Sequence, residues 1–239
     1  NCNLTTLPPR MEQLTEMVDF EISFNRLEEF MVDVLKWEKL RRLFLMYNSI
    51  ARYNEKALWT HPNIGSIDMR DNVGIDMPSS QTDISMLSLQ YLNLGNNSID
   101  ITWTFDALRY PSLKYLYING NNFIGFPIHK SMKHTLLKLA IARCNVTFLK
   151  SELSSFRYLR YLDCRNNNIT MVHNSIKTMI KKNSIESYFS GNPVCNTDKS
   201  LDCKPLCTKY CFSRDVLNDG FCQTECNSRQ CKFDGGDCF

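Results

Sequence analysis

The chain of 239 residues has no apolar run near the roughly 18–20 residues that a membrane-spanning helix needs. No leader is expected at its start. It opens Asn1-Cys2-Asn3-Leu4, as expected of a mature or trimmed fragment. Charge excess is small: a net of +3 gives no general pull toward nucleic acid or an acidic membrane surface. Histidine is scarce, and His61, His129, His134 and His173 show no metal spacing and no paired nucleophile. His129 and His134 stand five apart, outside a His-Glu-x-x-His context, and no glycine-rich phosphate loop is present. These absences remove the familiar enzyme chemistries, and the chain is expected not to be an enzyme.

What the chain has instead is cysteine. Eleven are present, six of them between Cys207 and Cys238, spaced Cys207-x3-Cys211-x10-Cys222-x3-Cys226-x4-Cys231-x6-Cys238. So short a stretch cannot build a core around six cysteines, so cross-links, a metal or both must hold it. That use of cysteine implies an oxidising compartment, hence the secretory pathway and an extracellular or cell-surface location. Four Asn-x-Ser/Thr sequons, at Asn3, Asn96, Asn145 and Asn168, agree. Chance can supply one or two in an Asn-rich chain, but three of the four share one position in the repeat described next.

The pattern Leu-x-x-Leu-x-Leu-x-x-Asn, with an apolar residue two further on, recurs along the chain. Its ninth place falls at 25, 48, 72, 97, 121, 144, 167 and 192, in steps of 23 to 25. Position 144 holds cysteine, in Leu136-x-x-Leu139-x-Ile141-x-x-Cys144, and the last copy is irregular. This pattern is identified as the leucine-rich repeat. Apolar fourth and sixth places alternate as in a short strand with one buried face. No repeat can bury that face alone, so neighbours stack into a solenoid with a curved parallel sheet on the concave side, an α/β architecture. The ninth-place Asn sits where the chain leaves the strand, with donors and an acceptor for turn backbone groups. Return segments are expected to mix extended turns and short helix.

Cys2 lies one step before Asn25, so Cys2-Asn3-Leu4 imitates the end of a coil whose strand is missing. The solenoid is therefore expected to be truncated there, with a frayed first coil. Asn192-Pro193-x-Cys195 resembles the opening of the disulfide cap that closes leucine-rich ectodomains, which pairs Cys195 with Cys203. Cys2, Cys144 and Cys164 are then expected to be buried thiols. A redox or catalytic thiol is less favoured, because no basic residue or helix start is placed to activate them. The domain boundaries follow as 1–203 for the solenoid with its cap and 207–239 for the cysteine-rich tail.

With Asp219-Gly220-x-Cys222, Cys226-Asn227 and Asp234-Gly235-Gly236-Asp237-Cys238, the tail resembles a Lin-12/Notch repeat. The resemblance implies a fold with almost no secondary structure, one bound Ca2+, and the pairs Cys207–Cys231, Cys211–Cys226 and Cys222–Cys238. Spacing alone permits 15 connectivities and does not choose. The residues themselves suit calcium, which takes six to eight hard oxygens. Asp234 and Asp237 flank two glycines that can turn both carboxylates toward one point, and the family places a ligand at Asp219. Where relatives often carry another ligand stands Val216, so Asp215 or a backbone carbonyl must complete the shell. A zinc module would leave the acids idle and matches no common spacing, and EF-hand spacing is absent. A plain solvated Asp-Gly turn is the remaining alternative.

Aromatics and arginines on an open sheet suit protein contact, and tyrosines also suit strands for purely structural reasons. The expected contact patch is Tyr91, Tyr115, Tyr117, Asp163 and Arg165 on the concave face. Asn3, Asn145 and Asn168 each follow a ninth place and line one edge instead. The expected function is therefore an extracellular protein-recognition module, the ligand-binding ectodomain of a cell-surface receptor whose membrane segment lies outside this chain. The alternative is a secreted inhibitor or adhesion protein. The one Notch-type repeat reads as a cap or spacer more than as a gate over a protease site.

Overall fold

Three residues of each repeat form a strand, because only the third to fifth places run extended before the chain turns. The computed structural model describes residues 2–72, 74–78, 84–99, 103–123, 125–204, 222 and 226–238. Its strands are β1 (Asp19–Glu21), β2 (Glu29–Phe30), β3 (Arg42–Phe44), β4 (Arg52–Tyr53), β5 (Ser66–Asp68), β6 (Tyr91–Asn93), β7 (Tyr115–Tyr117), β8 (Lys138–Ala140), β9 (Tyr161–Asp163) and β10 (Glu186–Tyr188). One parallel sheet of eight runs β1-β3-β5-β6-β7-β8-β9-β10, one strand per repeat, and β2 pairs with β4 in a separate ladder on the return side. The register holds the repeat frame throughout: Leu92 pairs with Leu116, Leu116 with Leu139, and Leu139 with Leu162.

The leucines beneath the sheet are sealed. Leu43, Leu45, Leu92, Leu94, Leu116 and Ile118 are wholly buried. Return segments close the core from the other side with α1 (Glu55–Trp59), α2 (Asn174–Lys182) and short 3-10 turns such as Lys130–His134 and Ser151–Ser155. Side chains at helix starts meet the first orphan amides: Asn54 accepts from Ala57 N, and His173 accepts from Ser175 N.

The ninth place explains why the coils stay in step. Asn121 Nδ2 donates to Ile118 O in its own coil (2.9 Å) and to Leu94 O in the preceding one (2.8 Å). Its Oδ1 accepts from Ile99 N, 3.1 Å away. Asn48, Asn72, Asn97, Asn167 and Asn192 repeat the scheme. At 144 the thiol takes over one role, with Sγ against Ile118 O at 3.1 Å. The acceptor role passes to the backbone: Phe123 N donates to Cys144 O, 3.2 Å.

The residue before each ninth place has a positive φ. Phe24, Tyr47, Asp71, Asn96, Gly120, Arg143, Asn166 and Gly191 all lie between 52° and 76°. This left-handed residue turns the chain off the strand and aims the ninth side chain inward. Asn, Asp and Gly suit that conformation, and Phe, Tyr and Arg adopt it at a cost.

Cys2 differs from expectation. It is exposed, because no described coil stacks on its outer side. The first partial coil is nonetheless tied down: Cys2 N and Leu4 N both donate to Asn25 Oδ1, and Arg26 N donates to Leu4 O. At the other end Cys195 and Cys203 form a disulfide with Cα atoms 5.6 Å apart. Phe189 N donates to Asp202 O, so the cap covers the outer edge of β10. Among the described residues, no helix is long and apolar enough to cross a membrane.

Candidate protein-recognition face

The outer face of the sheet is built from third, fifth and seventh places of successive coils, stacked about 5 Å apart by strand spacing. Two regions differ. Over β7 to β10 the tyrosines close on one another. Tyr117, Tyr161 and Tyr188 pack with Ala140 as a second apolar cluster, and Tyr91 and Tyr115 lean against it. The alanine at the fifth place leaves a gap that larger neighbours fill. Ring centroids lie 5.5 Å apart for Tyr91–Tyr117 and 5.9 Å for Tyr161–Tyr188.

Over β3 to β7 the face opens into a hollow of about 520 Å³, lined by Arg42, Phe44, Met46, Asp68, Tyr91 and Tyr115 among others. Arg42 at its rim is held by Asp19, Nε to Oδ1 at 2.7 Å, which draws the Asp19 carboxyl below its ordinary range. Asp68 forms the floor. Its Oδ2 accepts from Asn93 Nδ2 at 3.3 Å and lies 3.6 Å from Arg70 Nε. Tyr91 Oη lies 3.4 Å from the same oxygen. Burial dominates and pushes the Asp68 carboxyl up to about 6, against the opposing pull of Arg70. The Arg70 guanidinium also lies over the Tyr47 ring, 5.6 Å from its centroid.

Asp163 and Arg165 repeat this Asp-x-Arg clasp in a tighter form. Arg165 Nε and a terminal amino group donate to the two carboxylate oxygens at 2.9 and 2.6 Å. The guanidinium lies 5.5 Å from the Tyr188 ring centroid. Asp163 is 0% and Arg165 1% exposed. Of the five residues expected as a contact patch, these two are therefore sealed under the tyrosines, Tyr117 is 7% exposed, and Tyr91 and Tyr115 are half-buried. The structure brings all five onto one face, but the open part of that face lies toward β3. Sequence reasoning missed the hollow and the role of Asp68 and Arg70. The available signal was the same Asp-x-Arg pair at the fifth and seventh places of two repeats.

The sequon residues Asn3, Asn145 and Asn168 are exposed. Asn168 Nδ2 donates to Asn145 Oδ1 at 2.6 Å on the preceding coil, which places both on one edge. Asn96 is set differently. It occupies the left-handed eighth place, is half-buried, and donates through Nδ2 to Asp71 Oδ1 at 2.9 Å.

In the tail, Cys222 and Cys238 are disulfide-bonded, with Cα atoms 4.7 Å apart, and Cys226 and Cys231 are each disulfide-bonded and buried. Cys207 and Cys211 lie outside the described residues, as do the candidate calcium ligands Asp215 and Asp219. Asp234 opens a turn in which Gly235 and Gly236 have φ of 68° and 119°, and Asp237 follows, half-buried. Two left-handed glycines between two aspartates fit a calcium loop, since a Cβ would disfavour both. Among the described residues alone, no group of three or more His, Cys, Asp or Glu side chains is placed to hold a metal.

Comparison with known proteins agrees with both halves. A family model described as the Notch LNR domain matches residues 203–239. Toll-like receptor 2 of Homo sapiens is 30% identical over 154 residues, covering 55% of this chain and 19% of the receptor. An adenylate cyclase of Schizosaccharomyces pombe is 23% identical over 182 residues, covering 69% of this chain and 11% of that protein. The chain thus spans about a fifth or less of the curated relatives it matches. Among solved structures, an LRR protein of Leptospira interrogans aligns over 80% of this chain and 53% of its own, with a TM-score of 0.62 and 19% identity. Human trophoblast glycoprotein, also called Wnt-activated inhibitory factor 1, aligns over 80% and 75%, with a TM-score of 0.61 and 15% identity. At those identities the structures support the fold alone.

Proposed function

We propose that this chain, a leucine-rich repeat solenoid followed by a Lin-12/Notch repeat, is the ligand-binding part of a cell-surface receptor and takes a protein ligand on the outer face of its sheet. The observation that carries this reading is the hollow over β3 to β7, where Phe44, Met46, Tyr91 and Tyr115 meet Arg42 beside a floor of Asp68. Aromatic anchors beside a charge are the usual centre of a contact site. The similarity to Toll-like receptor 2 supports a receptor over a secreted inhibitor. The test is a screen of the whole chain against a panel of extracellular domains. A genuine partner should bind at least tenfold more weakly to a Tyr91→Ala/Tyr115→Ala variant whose melting temperature is kept. Undiminished binding to that variant would move the site elsewhere.

The exposed sequons Asn145 and Asn168 are glycan acceptors on this reading, and so is Asn3. Asn96 is the exception, because it is half-buried at the left-handed eighth place, where the other three sequon residues are exposed. Site-resolved mass spectrometry of protein from a glycosylating host should find Asn145 and Asn168 occupied and Asn96 bare. The tail is a calcium module whose carboxylates from Asp219, Asp234, Asp237 and Asp215 would hold the ion. The ion would supply the positive charge that lets several carboxylates share one short loop.

A further inference from the structure

We infer that the flank of the solenoid from which strands β7 to β10 begin is a binding surface for a sulfated polysaccharide. The modest net charge of +3 conceals an uneven distribution. Between residues 126 and 186 stand eleven Lys and Arg against three carboxylates, Glu152, Asp163 and Glu186, so the remainder of the chain is net negative. Asp163 is spent on Arg165 in the core.

The repeat register places four of these cations, Arg157, Arg160, Lys181 and Lys182, on one edge. His134, Arg157 and Lys182 occupy the same place on three successive coils, two residues before the first apolar place, and all three are exposed. Lys181 lies beside Lys182 at the end of α2. Arg160 stands one coil along from Leu137 and two from Lys114. The backbone bonds Leu137 N to Lys114 O and Arg160 N to Leu137 O, both 2.8 Å, fix that stacking. Arg160 is braced along the edge by bonds from one terminal nitrogen to Arg157 O and Leu159 O, at 3.0 and 2.9 Å. Among the described residues, no carboxylate lies within 4 Å of Arg157, Arg160, Lys181 or Lys182.

Arg157 and Lys182 on adjacent coils, with Lys114 and Arg160 two coils apart, set cations roughly 5–10 Å apart along the axis, a spacing that suits a linear polyanion. Arginine adds paired donors for sulfate oxygens. Beside the line runs a groove of about 360 Å³, lined by Pro111, Lys114, His134, Leu137 and the half-exposed Tyr158, which gives a sugar ring an apolar and hydrogen-bonding seat. The disulfides place the chain where sulfated polysaccharides occur and nucleic acids are scarce. Asn145 and Asn168 sit on the opposite edge of the same coils, past the strand ends, so chains attached there leave this flank open.

The experiment measures binding of the full chain to immobilised heparin, with desulfated heparin, phosphatidylserine vesicles and a single-stranded oligonucleotide as parallel arms. Heparin should bind, weaken steeply as salt rises, and lose at least tenfold in affinity in an Arg157→Ser/Arg160→Ser/Lys181→Ser/Lys182→Ser variant. A control variant, Lys36→Ser/Lys39→Ser/Arg52→Ser/Lys56→Ser, removes as much charge from the early coils and should lose less than threefold. Should the first variant melt early, Arg157→Ser/Lys182→Ser replaces it, with a threefold loss expected. Equal losses in the two variants, equal affinity for desulfated heparin, or tighter binding to vesicles or the oligonucleotide would each overturn the inference.

Discussion

Position 144 shows how one residue type can be exchanged inside a repeated bond network. The ninth-place Asn121 reaches three carbonyls and one amide across two coils, whereas Cys144 reaches two carbonyls through sulfur alone and leaves the amide of Phe123 to its own backbone oxygen. Asn121→Ala strips all of these partners from buried groups and should cost roughly 3 kcal/mol or more in chemical denaturation. Cys144→Asn should instead stabilise by about 1 kcal/mol, since the side chains are close in size and the ladder becomes continuous. The free thiols offer a second check. Burial raises the Cys144 thiol to about 12 and the Cys164 thiol well above its ordinary value, so both stay protonated. Iodoacetamide should label exposed Cys2 in the native protein and reach Cys144 and Cys164 only after unfolding, as peptide mapping would show. The ladder positions were readable from the repeat, but the backbone compensation at 144 was not, because it depends on how far a thiol reaches across a gap.

At the scale of the strands, the hollow puts a carboxylate where water is excluded. Asp68 on β5 faces Arg70 from its own coil and Tyr91 and Asn93 from β6, with Asp71 nearby as a like charge. Its carboxyl is raised from 3.8 to about 6 on folding, so the unfolded chain releases this proton first. Stability from this group is therefore full below about pH 4 and is lost as pH rises through 6, up to about 3 kcal/mol in total. Asp19 and Asp198, whose carboxyls are lowered by Arg42 and by Ser200 with Lys177, act in the opposite sense. The readout is thus a difference: between pH 4 and 7, Asp68→Asn should gain stability relative to the parent chain, measured by urea midpoints at each pH. A gap that does not change with pH would place the carboxyl in water. The outward places of each strand were legible from period two. Which of them stay open was not, since Ala140 lets the tyrosines collapse over Asp163 and Arg165 while Phe44 and Met46 stand outside that cluster.

For the molecule as a whole, both ends of the solenoid are tied. Asn25 holds the first partial coil, and the Cys195–Cys203 disulfide with Asp202 covers the last strand. The tail is too short and cysteine-rich to build such a core, so it is expected to depend on its cross-links and on the ion proposed for it. Removing calcium with a chelator should make residues 207–239 cleavable by protease at least tenfold faster while the solenoid resists, followed by mass mapping of the fragments. Extracellular modules bind calcium at roughly 10⁻⁴–10⁻³ M, so restoring millimolar calcium should reverse the effect. Equal cleavage with and without chelator would leave the disulfides as the tail's sole support. The sequence by itself determined the repeat register of the eight strands, the buried face of each, and the edge that carries Asn145 and Asn168. Each follows from a spacing of residues along the chain, and spacing survives without coordinates. Only the tertiary structure decided where the sheet is open, which Asp-x-Arg pair is sealed, and that the cations of distant segments share one flank. Those depend on side-chain size and reach between coils some 23 residues apart, quantities that a linear pattern does not contain.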